Sequence, residues 1–166
     1  MNAGAFGREM KDVVKGIRIL DDEGRFRDMA RAELAFAYRN LALPGRAVIT
    51  GARFRLEAGE AEAVRRRIAE ILALRRQKHP LEYRSAGSVF KNPRDIPAGR
   101  LIEEAGLKGV RIGDAQVSEK HGNFIVNLGN ARAGDVLALI DRVRERVREQ
   151  TGVILETEVR IVGVSK

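Results

Sequence analysis

Residues 48–59 read Val48-Ile49-Thr50-Gly51-Ala52-Arg53-Phe54-Arg55-Leu56-Glu57-Ala58-Gly59, and the hydrophobic period of the chain changes across them. Up to Leu56 the period is two. Val48, Thr50, Ala52, Phe54 and Leu56 fall on one face of a strand, and Arg53 and Arg55 on the other, its ordinary wet side. From Ala58 the period is helical. Val64, Ile68, Ile71 and Leu72 stand at i, i+4, i+7 and i+8, one apolar stripe. Glu62 precedes Arg66 by four residues, an ion pair of about 0.3 kcal/mol. His79-Pro80 ends the helix, because proline restricts the residue before it. The change of period places a module boundary at Glu57–Gly59. The fold class expected is α+β, in two pieces, residues 1–57 and 58–166.

Toward the N-terminus, Ile17 and Ile19 alternate with Lys15 and Arg18, so 12–20 reads as a strand. Asp21-Asp22-Glu23-Gly24 is a turn and Arg25-Phe26-Arg27 a returning strand. Residues 30–36 suit one helical turn carrying Leu34 and Phe36, and Leu43-Pro44-Gly45 a turn. Asn2–Gly7 has the small, glycine-punctuated look of an internal loop, with a frayed terminus as the bland alternative. Toward the C-terminus, 81–97 reads as a loop, and Ala98–Ala105 as a short helix closed by Gly106. Residues 123–128 read as a strand. Asp135–Thr151 is the clearest helix, with Val136, Ile140, Val143 and Val147 as its stripe and Gly152 as its stop. Val153–Leu155 and Glu158–Val162 read as a final strand pair.

The 166 residues carry Lys+Arg 31 against Asp+Glu 23, a formal charge of +8 that suits an anionic partner. The apolar share of 44% is enough for a core. Without cysteine there is no disulfide scaffold, thiolate zinc site or Cys nucleophile. No apolar run approaches a membrane span, and residues 1–7 do not resemble a secretory signal. His79 and His121, the only histidines, show no ligand spacing, so no metal site is expected. Arg65-Arg66-Arg67 and Arg75-Arg76 would suit nucleic acid, but a solvated helix face explains them as well. Phosphate loops of the Gly-x-x-x-x-Gly-Lys-Ser/Thr and Gly-x-Gly-x-x-Gly types are absent.

The polar loops carry more chemistry. Ser88 stands in Ala86-Gly87-Ser88-Val89-Phe90-Lys91-Asn92-Pro93, where small neighbours permit close approach of a ligand; locally it could equally be a turn serine. Lys91 and Asn92 offer a point charge and an amide. Arg39, after Tyr38, is either a solvated charge or a fork for a carboxylate. Alternation around Val159 places Glu158 and Arg160 on one face of a strand, as a salt bridge or a functional pair.

Taken together these segments resemble the C-terminal part of the UDP-N-acetylenolpyruvoylglucosamine reductase family, in its compact form without an extra tyrosine-bearing loop. The matching stretches are Met1–Gly7, Phe36-Ala37-Tyr38-Arg39, Ser85–Pro93, Ala98–Glu103, Val117–His121, Asn123–Asn127 and Glu156–Gly163. Phe6, Ala37 and Gly122 depart from the family's usual Tyr, Gly and Ala. The resemblance implies a cytoplasmic flavoprotein oxidoreductase of peptidoglycan synthesis, and so of cell wall biogenesis, cell shape and cell division. Its FAD, reduced by NADPH, delivers a hydride to the β-carbon of the enolpyruvyl group, and a serine protonates the α-carbon to give UDP-N-acetylmuramate.

Carried over by the resemblance, Ser88 is the proton donor, Arg39 polarises the substrate carboxylate, and Glu158 hydrogen-bonds it as a protonated acid or orients its partners. The acid form requires burial to outweigh Arg160. Asn2, Ala3, Gly4 and Ala5 fall on the flavin side. Tyr38, Arg75, Lys78, Lys91, Asn92, His121 and Arg160 are the candidates for the UDP-sugar. The implied partners are that sugar nucleotide and NADPH, with neither nucleic acid nor membrane. The family's Asn-Ala-Gly-Ala segment is internal, so the chain is expected to start inside the flavin module. On that expectation residues 1–57 are a remnant with an incomplete FAD site and exposed strand edges, and 58–166 the connecting helix and substrate-binding domain. A non-catalytic module that binds a UDP-sugar or a polyanion is the alternative, and a chain without a function of its own the blandest reading.

Overall fold

The computed structural model describes residues 1–93 and 96–163. The chain divides into two compact units, 1–61 and 62–166. In the first, β1 (Gly4–Ala5) and β2 (Arg8–Glu9) form a tight hairpin. Its two turn residues, Phe6 and Gly7, both have positive φ, 51° and 77°, the backbone that matches strand twist in a two-residue turn. β3 (Val14–Leu20) is the middle strand of a three-stranded antiparallel sheet and pairs with β4 (Phe26–Ala30) on one side. Asp21 makes the turn between them, its Oδ1 accepting the Glu23 and Arg25 amides at 3.0 and 2.9 Å. β5 (Ala35–Ala37) and β6 (Asn40–Ala42) form a second hairpin. β7 (Val48–Phe54) then pairs with β3 from the other side. Val14, Ile17, Ile19, Met29 and Leu34 are the buried core.

Two expectations fail here. The helical turn over 30–36 shrinks to a 3-10 turn at Arg31–Glu33; the chain must extend again to bury Leu34 and enter β5, which carries Phe36. The single apolar face of 48–56 is broken by a bulge. Ile17 pairs with Ala52 but Ile19 pairs with Ile49, so the register slips at Thr50 and the phase of two is lost. Leu56 lies beyond the strand and is exposed.

The second unit opens with α1 (Ala61–Lys78), in which no residue is buried; the stripe residues Val64, Ile68 and Leu72 are 47%, 52% and 45% exposed. Next come β8 (Arg84–Ser88), α2 (Ala98–Glu104), β9 (Arg111–Ile112), β10 (Ala115–Val117), β11 (Phe124–Asn127) and α3 (Ala133–Thr151). The strands form one antiparallel sheet in the order β8-β11-β10-β9. α3 packs on β9, β10 and α2 through Leu139, Ile140, Val143 and Val147, and closes at Gly152, φ 72°. Phe90, Ile102, Val117, Ile125 and Leu155 complete a core much larger than that of the first unit.

The expected loop over 81–97 contains β8, because pairing with β11 makes a strand of small residues that have no alternation of their own. The expected strand pair 153–155 and 158–162 does not form. Leu155 turns into the core, and the segment pairs with residues 89–91 through the single bridge Phe90–Thr157. Glu158 and Arg160 therefore do not share a strand face.

Candidate active site

In the first unit the flavin-side candidates and Arg39 come together. Asn2 is 1% exposed, and its side chain is engaged within the unit. Its Nδ2 donates to Glu9 Oε2 at 2.9 Å and to the Ala37 carbonyl at 3.4 Å, and its Oδ1 accepts the Lys11 amide at 3.0 Å. Lys11, and after it the Asn2 amide, hold the Glu9 carboxyl below its usual range. Asn2 thus ties the β1–β2 hairpin to β5, and the terminus is built in rather than frayed. Tyr38 and Arg39 are the two-residue turn between β5 and β6, Arg39 with φ 54°. The Arg39 guanidinium lies 5.0 Å from the Tyr38 ring centroid. A Cβ on Gly4 would make only ordinary contact with Arg39 Nη1, at 3.5 Å, and would press more closely on Glu9 Cγ and the Arg8 carbonyl oxygen, at 3.2 and 3.3 Å.

In the second unit Ser88 ends β8, opposite Phe124. The peptide after it is tied to Glu158: the Val89 carbonyl accepts the Glu158 amide at 2.8 Å and the Val159 amide at 3.4 Å. The Lys91 amide donates to the Glu156 carbonyl at 2.8 Å, and the Lys91 ammonium is paired with the Glu156 carboxylate. Asn92 Oδ1 accepts the Ala98 amide at 3.0 Å, at the start of α2. Ser88, Lys91, Asn92 and Glu158 thus lie on two short paired segments.

His121 sits beside them. Its ring lies against Gly99, in the first turn of α2, where a Cβ would stand 3.0 Å from Cε1. Its Nδ1 accepts the Asn123 amide at 3.1 Å, which puts the proton of the neutral ring on Nε2. An added Cβ on the neighbouring Gly122 would stand 2.6 Å from the Gly99 carbonyl oxygen, so glycine there allows this close approach. His79 meets His121 edge-on at 5.6 Å, and both rings pack on Phe124. Burial lowers the pKa of each; for His79 the charges of Arg75, Lys120 and Lys78 add to this, and for His121 the charge of His79. Arg75 and Lys78 therefore form a cationic end of α1 next to the imidazoles. Arg160 is exposed and lines, with Arg84 and Asn127, a mostly apolar groove of about 770 Å³.

Sequence reasoning passed over Asn123 and Glu156, one the clamp of Phe90 and the other the partner of Lys91. An amide directly before the apolar run Phe124-Ile125-Val126 was the available signal for the first. Among the described residues no group of three or more His, Cys, Asp or Glu side chains could hold a metal. The first unit does not by itself fit a whole FAD. The Asn2 side chain is committed to Glu9, Ala37 and Lys11, the Ala3 carbonyl to the Met10 amide at 2.9 Å, and exposed Ala5 adds only backbone.

Residues 79–162 match the family model described as the UDP-N-acetylenolpyruvoylglucosamine reductase C-terminal domain. The chain is 59% identical over 163 residues to the UDP-N-acetylenolpyruvoylglucosamine reductase of Syntrophus aciditrophicus, covering 98% of this chain and 52% of the relative. It is 52% identical over 167 residues to that of Heliobacterium modesticaldum, covering 99% and 53%. The crystal structure of the Thermus caldophilus UDP-N-acetylenolpyruvylglucosamine reductase aligns with a TM-score of 0.83 at 45% identity, over 96% of this chain and 57% of that one. The chain spans about half the length of the curated relatives it matches.

Proposed function

Because the chain belongs to the UDP-N-acetylenolpyruvoylglucosamine reductase family, we propose that it carries the substrate-holding and proton-donating part of the reduction of UDP-N-acetylenolpyruvoylglucosamine to UDP-N-acetylmuramate. NADPH is the proposed reductant, the cytoplasm the proposed setting, and peptidoglycan precursor synthesis the proposed role. The hydride is the chemistry that FAD would supply when bound; every other part of the reading concerns residues of this chain.

Negative charge builds toward the substrate carboxylate when hydride adds to the β-carbon. A fixed cation and a hydrogen bond at that carboxylate lower the barrier. Arg39 is the proposed cation and Glu158 the proposed hydrogen-bonding partner. Ser88 then gives its hydroxyl proton to the α-carbon, and the resulting alkoxide is reprotonated from solvent. Lys91, Asn92, Arg75 and Lys78 are proposed to hold the sugar and its diphosphate, with Tyr38, His121 and Arg160 contributing around them. The flavin-side role of Asn2, Ala3, Gly4 and Ala5 is proposed to be a backbone surface keyed from below by the Asn2 amide. The divisions proposed are 1–57 for the flavin-side module and 58–166 for the connecting helix and substrate domain.

The observation that carries the reading is the Val89 peptide, which links the residue after Ser88 directly to Glu158. Calorimetric titration with the sugar nucleotide and with random-sequence DNA, each at two salt concentrations, tests it. Saturable sugar-nucleotide binding with a shallow salt dependence is expected. Steeply salt-dependent DNA binding without sugar-nucleotide binding would favour a polyanion module and overturn it. The purified chain is expected to bind FAD weakly or not at all, and stoichiometric comigration of flavin absorbance with it would contradict this.

A further inference from the structure

Ser88 sits where the chain changes partners. Before it, β8 pairs with β11; the register shifts between Phe124 and Val126, and Gly87 takes φ 81°. After it, residues 89–91 pair with 156–159 instead. Asn123 stands at this crossover and is 4% exposed. Its carbonyl accepts the Val89 amide at 2.9 Å. Its side chain accepts the Phe90 amide on Oδ1 at 2.9 Å and donates from Nδ2 to the Phe90 carbonyl at 2.8 Å.

A primary amide presents one acceptor and one donor side by side, as a neighbouring strand would. Asn123 therefore does for Phe90 what the ladder does for β8. Burying an amide is costly unless both of its sides are bonded, as they are here. Packing alone would be served by an apolar side chain between Val89 and Phe90, which are themselves buried.

We propose that Asn123 is the positioning residue of the site: by clamping Val89–Phe90 it fixes Ser88 relative to Glu158. The proposal rests on the reading of Ser88 and Glu158 as the reacting pair, while its structural content stands on the Phe90 clamp. Displacements of about 1 Å cost a site of this kind on the order of 100-fold in rate, so a device that sets this spacing matters for the proton step.

Site-resolved amide hydrogen exchange on the 166-residue chain tests it, with Asn123→Ala and Asn123→Asp. In Asn123→Ala the Val89, Phe90 and Glu158 amides are expected to exchange roughly tenfold faster, the worth of a typical buried hydrogen bond, with α3 amides changing less than about twofold. Asn123→Asp should behave like Asn123→Ala at pH 7.5. It should regain the protection of the wild-type chain measured at the same pH once its carboxyl is protonated, since only the acid form both accepts and donates. The same-pH comparison cancels the titration of His121, whose Nδ1 accepts the Asn123 amide, and of His79 beside it. Should Asn123→Ala fail to fold, the two pH conditions of Asn123→Asp decide alone. Uniform loss of protection through α3, unchanged protection at Glu158, or no recovery of Asn123→Asp at low pH would overturn the proposal. These ratios need no substrate, so failure to bind the sugar nucleotide would count against the proposed function and leave them readable.

Discussion

The two units differ in what holds them. The second surrounds Phe90, Ile102, Leu139 and Leu155 with a four-stranded sheet and two helices, in a cluster of fifteen buried residues among those described. The first has five, on a three-stranded sheet whose last strand leaves Val48, Ile49 and Phe54 exposed. Much of its specificity comes instead from polar keys: Asn2 between β2 and β5, and Asp21 in its turn. A small core is the weaker foundation, since buried apolar area supplies the main driving force for folding.

Core truncation puts this contrast to its hardest test. Leu139→Ala and Ile19→Ala each remove a fully buried side chain and are expected to cost about 2–5 kcal/mol. The cost should leave the second unit folded at 25 °C and unfold the first. Exchange rates of β3 and α3 amides in the two variants decide it; equal survival of both units would erase the difference. Next in size is Asn2→Ala, which strips a buried side chain of three hydrogen bonds and should destabilise the first unit by about 1–3 kcal/mol. Denaturant melts followed through β3 amides would show it, and a cost below about 0.5 kcal/mol would mean the hairpin is held by something else.

The smallest effect is a pH slope. Both imidazoles have lowered pKa values in the folded chain, chiefly through burial. The unfolded chain takes up their protons near pH 6.5, while the folded chain resists until its lower values are reached. Stability from this source is thus complete above pH 6.5 and is lost as pH falls toward the folded values. The first unit has no histidine. Between pH 7.5 and 5.5 the second unit should lose stability and the first should not, and replacing both histidines by Gln should flatten the slope. A slope that persists in that variant would assign it to other groups.

Local pattern identified what local physics controls. The stripe of α3, its Gly152 stop, the β3 alternation and the short helix before Gly106 follow from period and capping alone. β8 did not, because Ser85-Ala86-Gly87-Ser88 becomes a strand only through β11, nearly forty residues later. The same applies to 153–162, where alternation suggested a strand and the partner turned out to be Val89–Lys91. Individual candidates such as Ser88 and Arg39 were legible as residues. The setting of Ser88 was not, since it depends on Glu158 and Asn123 arriving from elsewhere in the chain.

α1 has a colloidal consequence. Its exposed Val64, Ile68 and Leu72 share an 18-residue helix with Arg65, Arg66, Arg67, Arg75 and Arg76. On a chain of formal charge +8, like-charge repulsion opposes sticking through that stripe. The repulsion reaches only a Debye length, about 30 Å at 0.01 M salt and about 8 Å at 0.15 M. The chain should therefore stay dispersed in dilute buffer and self-associate as salt is added, the reverse of a protein held together by ion pairs. Light scattering across a salt series would display that ordering directly.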